Sequence, residues 1–472
     1  FESGVRAHPL ICPAELFSTL YTNDRQAWES YLRGPQGLNR TYWEKIADHA
    51  VGRNLETHDK LLPLGIHADA APFCKTESVF TLAWNGVCGD GDTLATRLVS
   101  TIVRKSEMCE AVMNTIFSRF AWGMNVLHSG YWPEKDWAGQ RHPKAGTAVA
   151  DGWCGCVTQC RGDWEWFCDW LKFPRWNEAG PMCFLCHASN LPGPMSWTNR
   201  DGAWVGDFRN HEDFIRDQFI DGGRPCALFS IRSLRIEGCM VDVLHALDQG
   251  VSSHVHGNVL WEIAMSKRLT QEEAVSWLQS EIVAWYKRKH NKEHARIQGK
   301  LTVQRVKTSG DWPKLKAKAA ATRRLTEFVL QLAETHNSGS EHDQKRLGVA
   351  QLLNEYYTLI HAEGRWFSTF ALDRIPRVVY TFHGLYAALS AEALRLRVRA
   401  WKFIPKFHLF AHIAHPEILK LGNPRFYWCY QDEDNQRNMA SICASAHMDN
   451  LAQVSLHKWV ILTFTLRRQQ AS

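Results

Sequence analysis

Three apolar runs rich in β-branched and aromatic side chains follow one another with only turn residues between them: LLPLGIHADAAPF from Leu61, ESVFTLAWNGV from Glu77 and ATRLVSTIVRK from Ala95. The GDGD of Gly89 to Asp92 is one such turn. Runs this short and this closely spaced predict three consecutive strands. The period then changes in CEAVMNTIFSRFAWGMNVL, where Val112, Ile116, Phe120 and Met124 recur along one helical face. Past a Gly/Pro/Lys loop, TAVADGWCGCVTQC predicts a fourth strand and WEWFCDWLKF a helix. The chain must build an α/β core in the order β-β-β-α-β-α.

That order is the first half of a ribonuclease-H-like domain, and several other α/β folds begin the same way. Beyond residue 255 the pattern becomes helical, in NVLWEIAMSKRLTQEEAVSWLQSEIVAWYKRK, RRLTEFVLQLAETH, KRLGVAQLLNEYYTLIHAEG and VVYTFHGLYAALSAEALRLRVRAWKFI. The segment from Phe426 reads as a short strand and two helices. At 472 residues and 45% hydrophobic content the chain can bury a large core, as two to four domains or one with a large insertion. Four parts are expected: a helical N-terminal segment 1–55, the first part of the core 56–186, an all-α insertion 187–403, and the rest of the core 404–472. No run of eighteen apolar residues occurs and no secretory signal opens the chain, which predicts no membrane association. The chain begins at Phe1, as expected of a fragment or a processed form.

Asp69 ends the first strand and Asp163 follows the fourth. In a parallel or mixed sheet such strand ends lie side by side, and two carboxylates there can share divalent cations. Magnesium prefers hard oxygen ligands and keeps some waters, so two or three carboxylates plus a phosphate is the arrangement expected for phosphoryl transfer. Each Asp can instead cap the element it precedes, as Asp163 would cap WEWFCDWL.

Six of the fourteen cysteines fall between Cys154 and Cys186, which favours metal or buried thiols over disulfides. Cys183 and Cys186 have the C-x-x-C spacing that places two thiolates on one tetrahedral zinc. The best candidates for the other ligands are His408, His412 and His415, which project from one helical face. Such a site would clamp the base of the helical insertion; two buried thiols and partly exposed histidines are the alternative reading. Cys154, Cys156 and Cys160 are expected on one face of the fourth strand as small buried hydrophobes. Asp242, His245, His254 and His256 form another polar cluster, for which helix capping is the plain explanation. The formal charge is +6, yet residues 287–324 hold 13 Lys or Arg against Glu293 and Asp311. That density suits either DNA phosphates, contacted by Lys314, Lys316, Lys318, Arg323 and Arg324, or a solvated surface.

In their order and spacing these residues resemble the DDE/D transposases with a ribonuclease-H-like core interrupted by an all-helical insertion, particularly the CACTA-type group. The catalytic subunit of the V(D)J recombinase is a more distant likeness. The matching features are Asp69, Asp163 94 residues on, the Cys183/Cys186 pair, the long insertion, the pair His408 and His412, and Glu433. Trp428, Tyr430 and Glu433 reproduce that group's Trp-x-Tyr-x-x-Glu pattern, and Asp242 to His245 (DVLH) is similar to its Asp-Val-Met-His. The resemblance implies catalytic Asp69, Asp163 and Glu433 holding two Mg2+ (or Mn2+) ions, with Asp432 or Asp434 as alternatives for the third acid. It implies Zn2+ on Cys183, Cys186, His408 and His412. The implied activity is cleavage and strand transfer of double-stranded DNA at transposon ends, in the nucleus, with a homodimer left open. A catalytically inactive, zinc-stabilised DNA-binding or scaffold derivative is the alternative.

Overall fold

The computed structural model describes residues 7–471 apart from 54, 221–222, 289–294 and 308–311. The three tandem runs form β1 (Leu61–Pro72), β2 (Ser78–Gly86) and β3 (Leu98–Arg104), paired antiparallel in sequence order. The Cys-rich run forms β4 (Cys154–Arg161), parallel to β1 on its other side, so the sheet order is β3-β2-β1-β4. Parallel neighbours need a crossover, and a helix from Glu110 to Ser129 lies within it. Its buried stripe is Met113, Ile116, Phe117, Phe120 and Met124. Val112, expected on that stripe, is exposed, and Met113 takes its place.

The other helices of eight or more residues named here are placed in chain order around that one. They are α1 (Pro13–Asn23), α2 (the Glu110–Ser129 helix), α3 (Trp164–Trp170, shorter but central to the site), α4 (Ser252–Met265), α5 (Gln271–Arg288), α6 (Ala319–Thr335), α7 (Glu341–Ala362), α8 (Thr369–Arg395), α9 (Lys406–Ile413), α10 (Tyr430–Cys443) and α11 (Leu451–Ala471). The molecule is thus a mixed α/β fold, a four-stranded mixed sheet flanked by helices, with a large helical portion. α1 packs on α2, and Ile11 N–H donates to the Ser100 carbonyl of β3 at 2.8 Å, so the described residues of the N-terminal segment from Ile11 pack on the core. α4 is buried almost all round, and α5, α6 and α7 pack against it.

Three local expectations change. The β1/β4 register shifts after Leu64, where Val157 and Gln159 pair with consecutive residues of β1 and Thr158 is the extra residue. A bulge exchanges the faces of everything beyond it. Cys154 and Cys156 therefore pack with Tyr42 and Met240, while Cys160 packs in the main core with Val157, on the opposite face. All three are buried thiols, as expected. The strand expected from Phe426 does not form among the described residues; Pro424–Phe426 is a single 3-10 turn, and α10 begins four residues later. The run from Asn258 to Arg288 is two helices, broken at Arg268, whose φ is 56°.

Residues 233–243, grouped with the insertion on sequence grounds, pack along the core. Cys239 forms a parallel bridge to Cys160, Met240 N–H donates to the Cys160 carbonyl at 2.8 Å, and Ser233 Oγ accepts from Val157 N–H at 2.8 Å. This segment runs along the outer edge of β4 and delivers Asp242 to the sheet's C-terminal end. The helical block begins just after it, at the π-helical turn Leu244–Val251.

Candidate active site and candidate metal centre

Strand register brings the first two acids together. His67 of β1 pairs with Arg161 of the parallel β4. Asp69 and Asp163 each lie two residues further on, and alternate residues share a face, so both carboxylates leave the same face at neighbouring strand ends. Asp163 does cap α3: its Oδ1 accepts from Trp166 N–H at 2.6 Å, which leaves the second oxygen out of the cap. The capping and site readings are compatible. α10 lies across β1 and β2, with Gln436 Nε2 donating to the Asp69 carbonyl at 3.1 Å, and it turns Glu433 toward Asp69.

The electrostatics register this convergence. Burial, then the charges of Asp163 and Glu433, push the Asp69 carboxyl up to about 7. Burial also raises Glu433; His245 and a hydrogen bond with Asp69 oppose the shift, while Asp242 and Asp163 add to it. Carboxyls held above their ordinary range carry uncompensated negative charge, which a hard cation would relieve. The three carboxylates do not gather within 4.8 Å of one another as the Cys/His set described below does.

The run Asp432-Glu433-Asp434 is now resolved by where each side chain points. Asp432 is buried between Arg97 (Nε to Oδ1, 2.7 Å) and Arg161 (Nε to Oδ2, 2.8 Å). Against the cost of burial, these guanidinium groups hold its carboxyl well below the usual range. Asp434 points outward to Arg437 at 2.7 Å. Glu433 alone of the three faces the other acids. His67 and Cys429 also approach Asp432 within 4.8 Å, but both Asp432 oxygens already serve arginines, so that group is no cation site. Asp432→Asn leaves two buried guanidinium groups underpaired and is expected to cost about 3 to 5 kcal/mol of folding stability, checked by denaturant unfolding.

Asp242 and His245 belong to the same site, which the sequence did not reveal. Asp242 caps the π-helical turn, accepting from Leu244 N–H at 3.2 Å and His245 N–H at 3.0 Å. It also accepts from Cys429 N–H at 2.8 Å and faces His245 Nδ1 at 2.7 Å. His245 Nε2 lies 3.6 Å from Glu433 Oε1. Burial would lower the imidazole, but the Asp242 hydrogen bond and the charges of Asp242, Glu433 and Asp163 outweigh it and raise it to about 9. A cavity of about 390 Å3 opens here, lined by Asp163, Asp242, His245, Lys314, Lys402 and Lys406. Burial and Lys314 lower Lys406 to about 8, against the pull of Asp163 and Asp242. Lys402 precedes the helix that carries the histidine pair and Lys406 is its first residue, and that position was their only signal.

The five basic residues singled out from the sequence divide. Lys314 lines the acid-bearing cavity, and with exposed Lys316 and Lys318 it lines a second groove of about 710 Å3. Arg323 is packed inward, 4.5 Å above Trp428 and 4.6 Å above Tyr430, with Asp248 at 3.8 Å; Arg324 is half-buried on α6. Parts of the basic segment, 289–294 and 308–311, lie outside the described residues.

Asp248 beneath Arg323 is buried and accepts from Tyr430 Oη at 2.5 Å and from Tyr357 Oη. Burial outweighs Arg323 and both tyrosines and pushes its carboxyl up to about 7 from an ordinary 3.8. A carboxyl raised on folding contributes stability that is complete below its unfolded value and is lost as pH rises through the folded one. Wild-type stability is therefore expected to fall between about pH 4 and pH 7 through this group. Asp248→Asn should flatten that slope in denaturation midpoints taken across the range.

The Cys/His set closes into one cluster. Cys183, Cys186, His408 and His412 are all buried, with their ligand atoms within 4.8 Å of one another. His412 Nε2 lies 3.5 Å from Cys183 Sγ, 3.3 Å from Cys186 Sγ and 3.0 Å from His408 Nε2, and His408 Nε2 is 3.3 Å from Cys186 Sγ. Zinc bonds of about 2.0 to 2.3 Å give tetrahedral edges of about 3.3 to 3.8 Å, so the cluster matches a slightly compressed Cys2His2 shell. Leu185 N–H and Ala188 N–H donate to the two sulfurs at 3.3 and 3.4 Å, as thiolates require. Burial pushes the Cys183 thiol up, but the contacts with Cys186, His412 and His408 outweigh it and hold it well below its ordinary value. His415 is not in the shell; its Nδ1 accepts from Glu417 N–H at 3.2 Å and its ring packs on Phe208. The cluster can hold a metal such as zinc, and it ties the loop after α3 to α9.

No protein-family model matches the chain, and no curated protein matches it. Among the described residues no helix is long and apolar enough to cross a membrane.

Proposed function

We propose that the chain is a transposase-like enzyme that cleaves and rejoins DNA strands at transposon ends in the nucleus, on a ribonuclease-H-like core of the kind its sequence resembles. The observation that carries this reading is the meeting of Asp69, Asp163 and Glu433, from β1, the end of β4 and α10, beside a cavity rich in lysine. Residues 94 and 364 positions from Asp69 gain nothing in folding from half-buried like charges, so their grouping suits cation binding. Two divalent ions, when bound, activate the attacking oxygen and stabilise the leaving one. Asp69, Asp163 and Glu433 would hold them. His245, charged at neutral pH and fixed by Asp242, offsets negative charge beside Glu433. Lys314, Lys402 and Lys406 would bind the phosphates that flank the reacting one.

The second reading is a zinc-stabilised DNA-binding or scaffold protein without catalysis. Asp163 favours it in one respect, because the cap of α3 gives that residue a structural reason to be present. Nicking of a supercoiled plasmid separates the two. The enzyme reading expects nicks with Mg2+ or Mn2+ and none with EDTA. DNA binding with no nicking under any divalent ion would leave the scaffold reading.

A further inference from the structure

α8, the longest helix of the helical block, runs out at Arg395 into a turn, and across this end the sequence Leu394-Arg395-Leu396-Arg397-Val398-Arg399 alternates apolar and basic residues. All six are exposed, the three apolar ones to 79%, 55% and 54%. The turn is anchored at both ends. Ala393 is buried before it, and after it Trp401 is fully buried, its N–H donating to Asn258 Oδ1 at 2.7 Å and its indole N–H to Glu262 at 2.6 Å. Arg397 reverses the chain with φ at 59°, Leu396 N–H donates to the Glu392 carbonyl at 2.9 Å, and Val398 N–H donates to the Ala393 carbonyl at 2.9 Å. The six side chains therefore stand on a fixed protrusion.

Three such apolar side chains left in water forgo the stabilisation that burial would give them. No acidic residue lies between Ala393 and Trp401, and neither Arg395 nor Arg397 makes an ion pair among the described residues. The basic character continues into the acid-bearing cavity. Lys402, which lines it, is seven residues from Arg395, a Cα separation of at most about 25 Å even if the chain were fully extended. That is less than the roughly 34 Å of one duplex turn. The protrusion therefore lies within one duplex turn's length of Lys402.

We infer that this turn is a DNA wedge, with Arg395, Arg397 and Arg399 on backbone phosphates and Leu394 and Leu396 pressed into an adjoining base step. Apolar wedges beside basic residues unstack and kink duplexes in this way. A membrane surface would be met by an amphipathic helix face, which this six-residue turn lacks. The inference rests on the proposed function for where the reacting strand lies, and on continuity of charge for the choice of DNA.

The test uses the full chain and a duplex with 2-aminopurine at successive positions, titrated over a range of salt. Arg395→Ala with Arg397→Ala is expected to reduce the slope of log affinity against log salt by about 2. Leu394→Ala with Leu396→Ala is expected to leave that slope unchanged and remove the 2-aminopurine fluorescence rise seen with wild type. All four positions are exposed, so folding is preserved, which circular dichroism would confirm. Both variants matching wild type overturns the inference, and if nicking persists the proposed function survives. Effects on binding and fluorescence in a wild type that never nicks sustain the wedge and defeat the enzyme reading. Binding of wild type to phosphatidylserine vesicles without measurable affinity for DNA overturns the inference.

Discussion

Asp69→Asn, Asp163→Asn and Glu433→Gln are each expected to lower divalent-dependent DNA nicking by about 100- to 1,000-fold or more, the scale on which loss of a group stabilising transition-state charge acts. Their effects on folding should differ from their effects on activity. Asp69 is half-buried beside two like charges, and its carboxyl is held up to about 7. Replacing it by the neutral amide removes that repulsion, so metal-free Asp69→Asn is expected to melt no lower than wild type at pH 8 while losing activity. Asp163→Asn should melt slightly lower, because the carboxylate at the N-cap of α3 also favours the helix dipole. Equal losses of stability and activity in all three variants would mark the acids as structural.

The largest stability effect is expected at the Cys/His cluster. Purified protein should carry one zinc per chain. Chelation or Cys183→Ser should cost more than about 3 kcal/mol, since structural zinc contributes directly to folding and its loss leaves three polar ligands buried without a partner. The damage should reach both the loop that carries Cys183 and α9, because the cluster joins segments 222 residues apart, from Cys186 to His408. Amide exchange in α9 reports it locally, and thermal melting reports it globally. His415→Ala should have a small effect on metal content, as that ring lies outside the shell. Zinc-free protein with an unchanged melting temperature would remove the metal from the description.

The strands and the acids were legible because apolar runs and strand ends leave a pattern in the sequence itself. Strand order allowed Asp69 and Asp163 to be paired, and spacing narrowed the metal ligands to Cys183, Cys186 and three histidines, of which the structure brings His408 and His412 to the thiols. What stayed hidden depends on registration between distant elements. Asp432, Glu433 and Asp434 are adjacent on a helix, where successive residues point about 100° apart, and only the way α10 lies on β1 and β2 selects Glu433. The exchange of faces at Cys160 comes from one extra residue in β4, and no periodicity in that short run announces it. Helix ends at Arg268 and Arg397 are made by non-glycine residues at positive φ, which carry no turn signal in composition. Asp242 and His245 were visible as polar residues, but their link to Glu433 requires the edge segment beside β4 that delivers them.

Whether Asp69, Asp163 and Glu433 form a cation site is tested most directly by anomalous scattering from crystals soaked in Mn2+. The expected result is two manganese peaks among these three carboxylates, present in wild type and lost in Asp69→Asn crystals that keep zinc at Cys183, Cys186, His408 and His412. Manganese absent from the carboxylates in wild-type crystals that hold zinc would contradict two-metal phosphoryl transfer at this site.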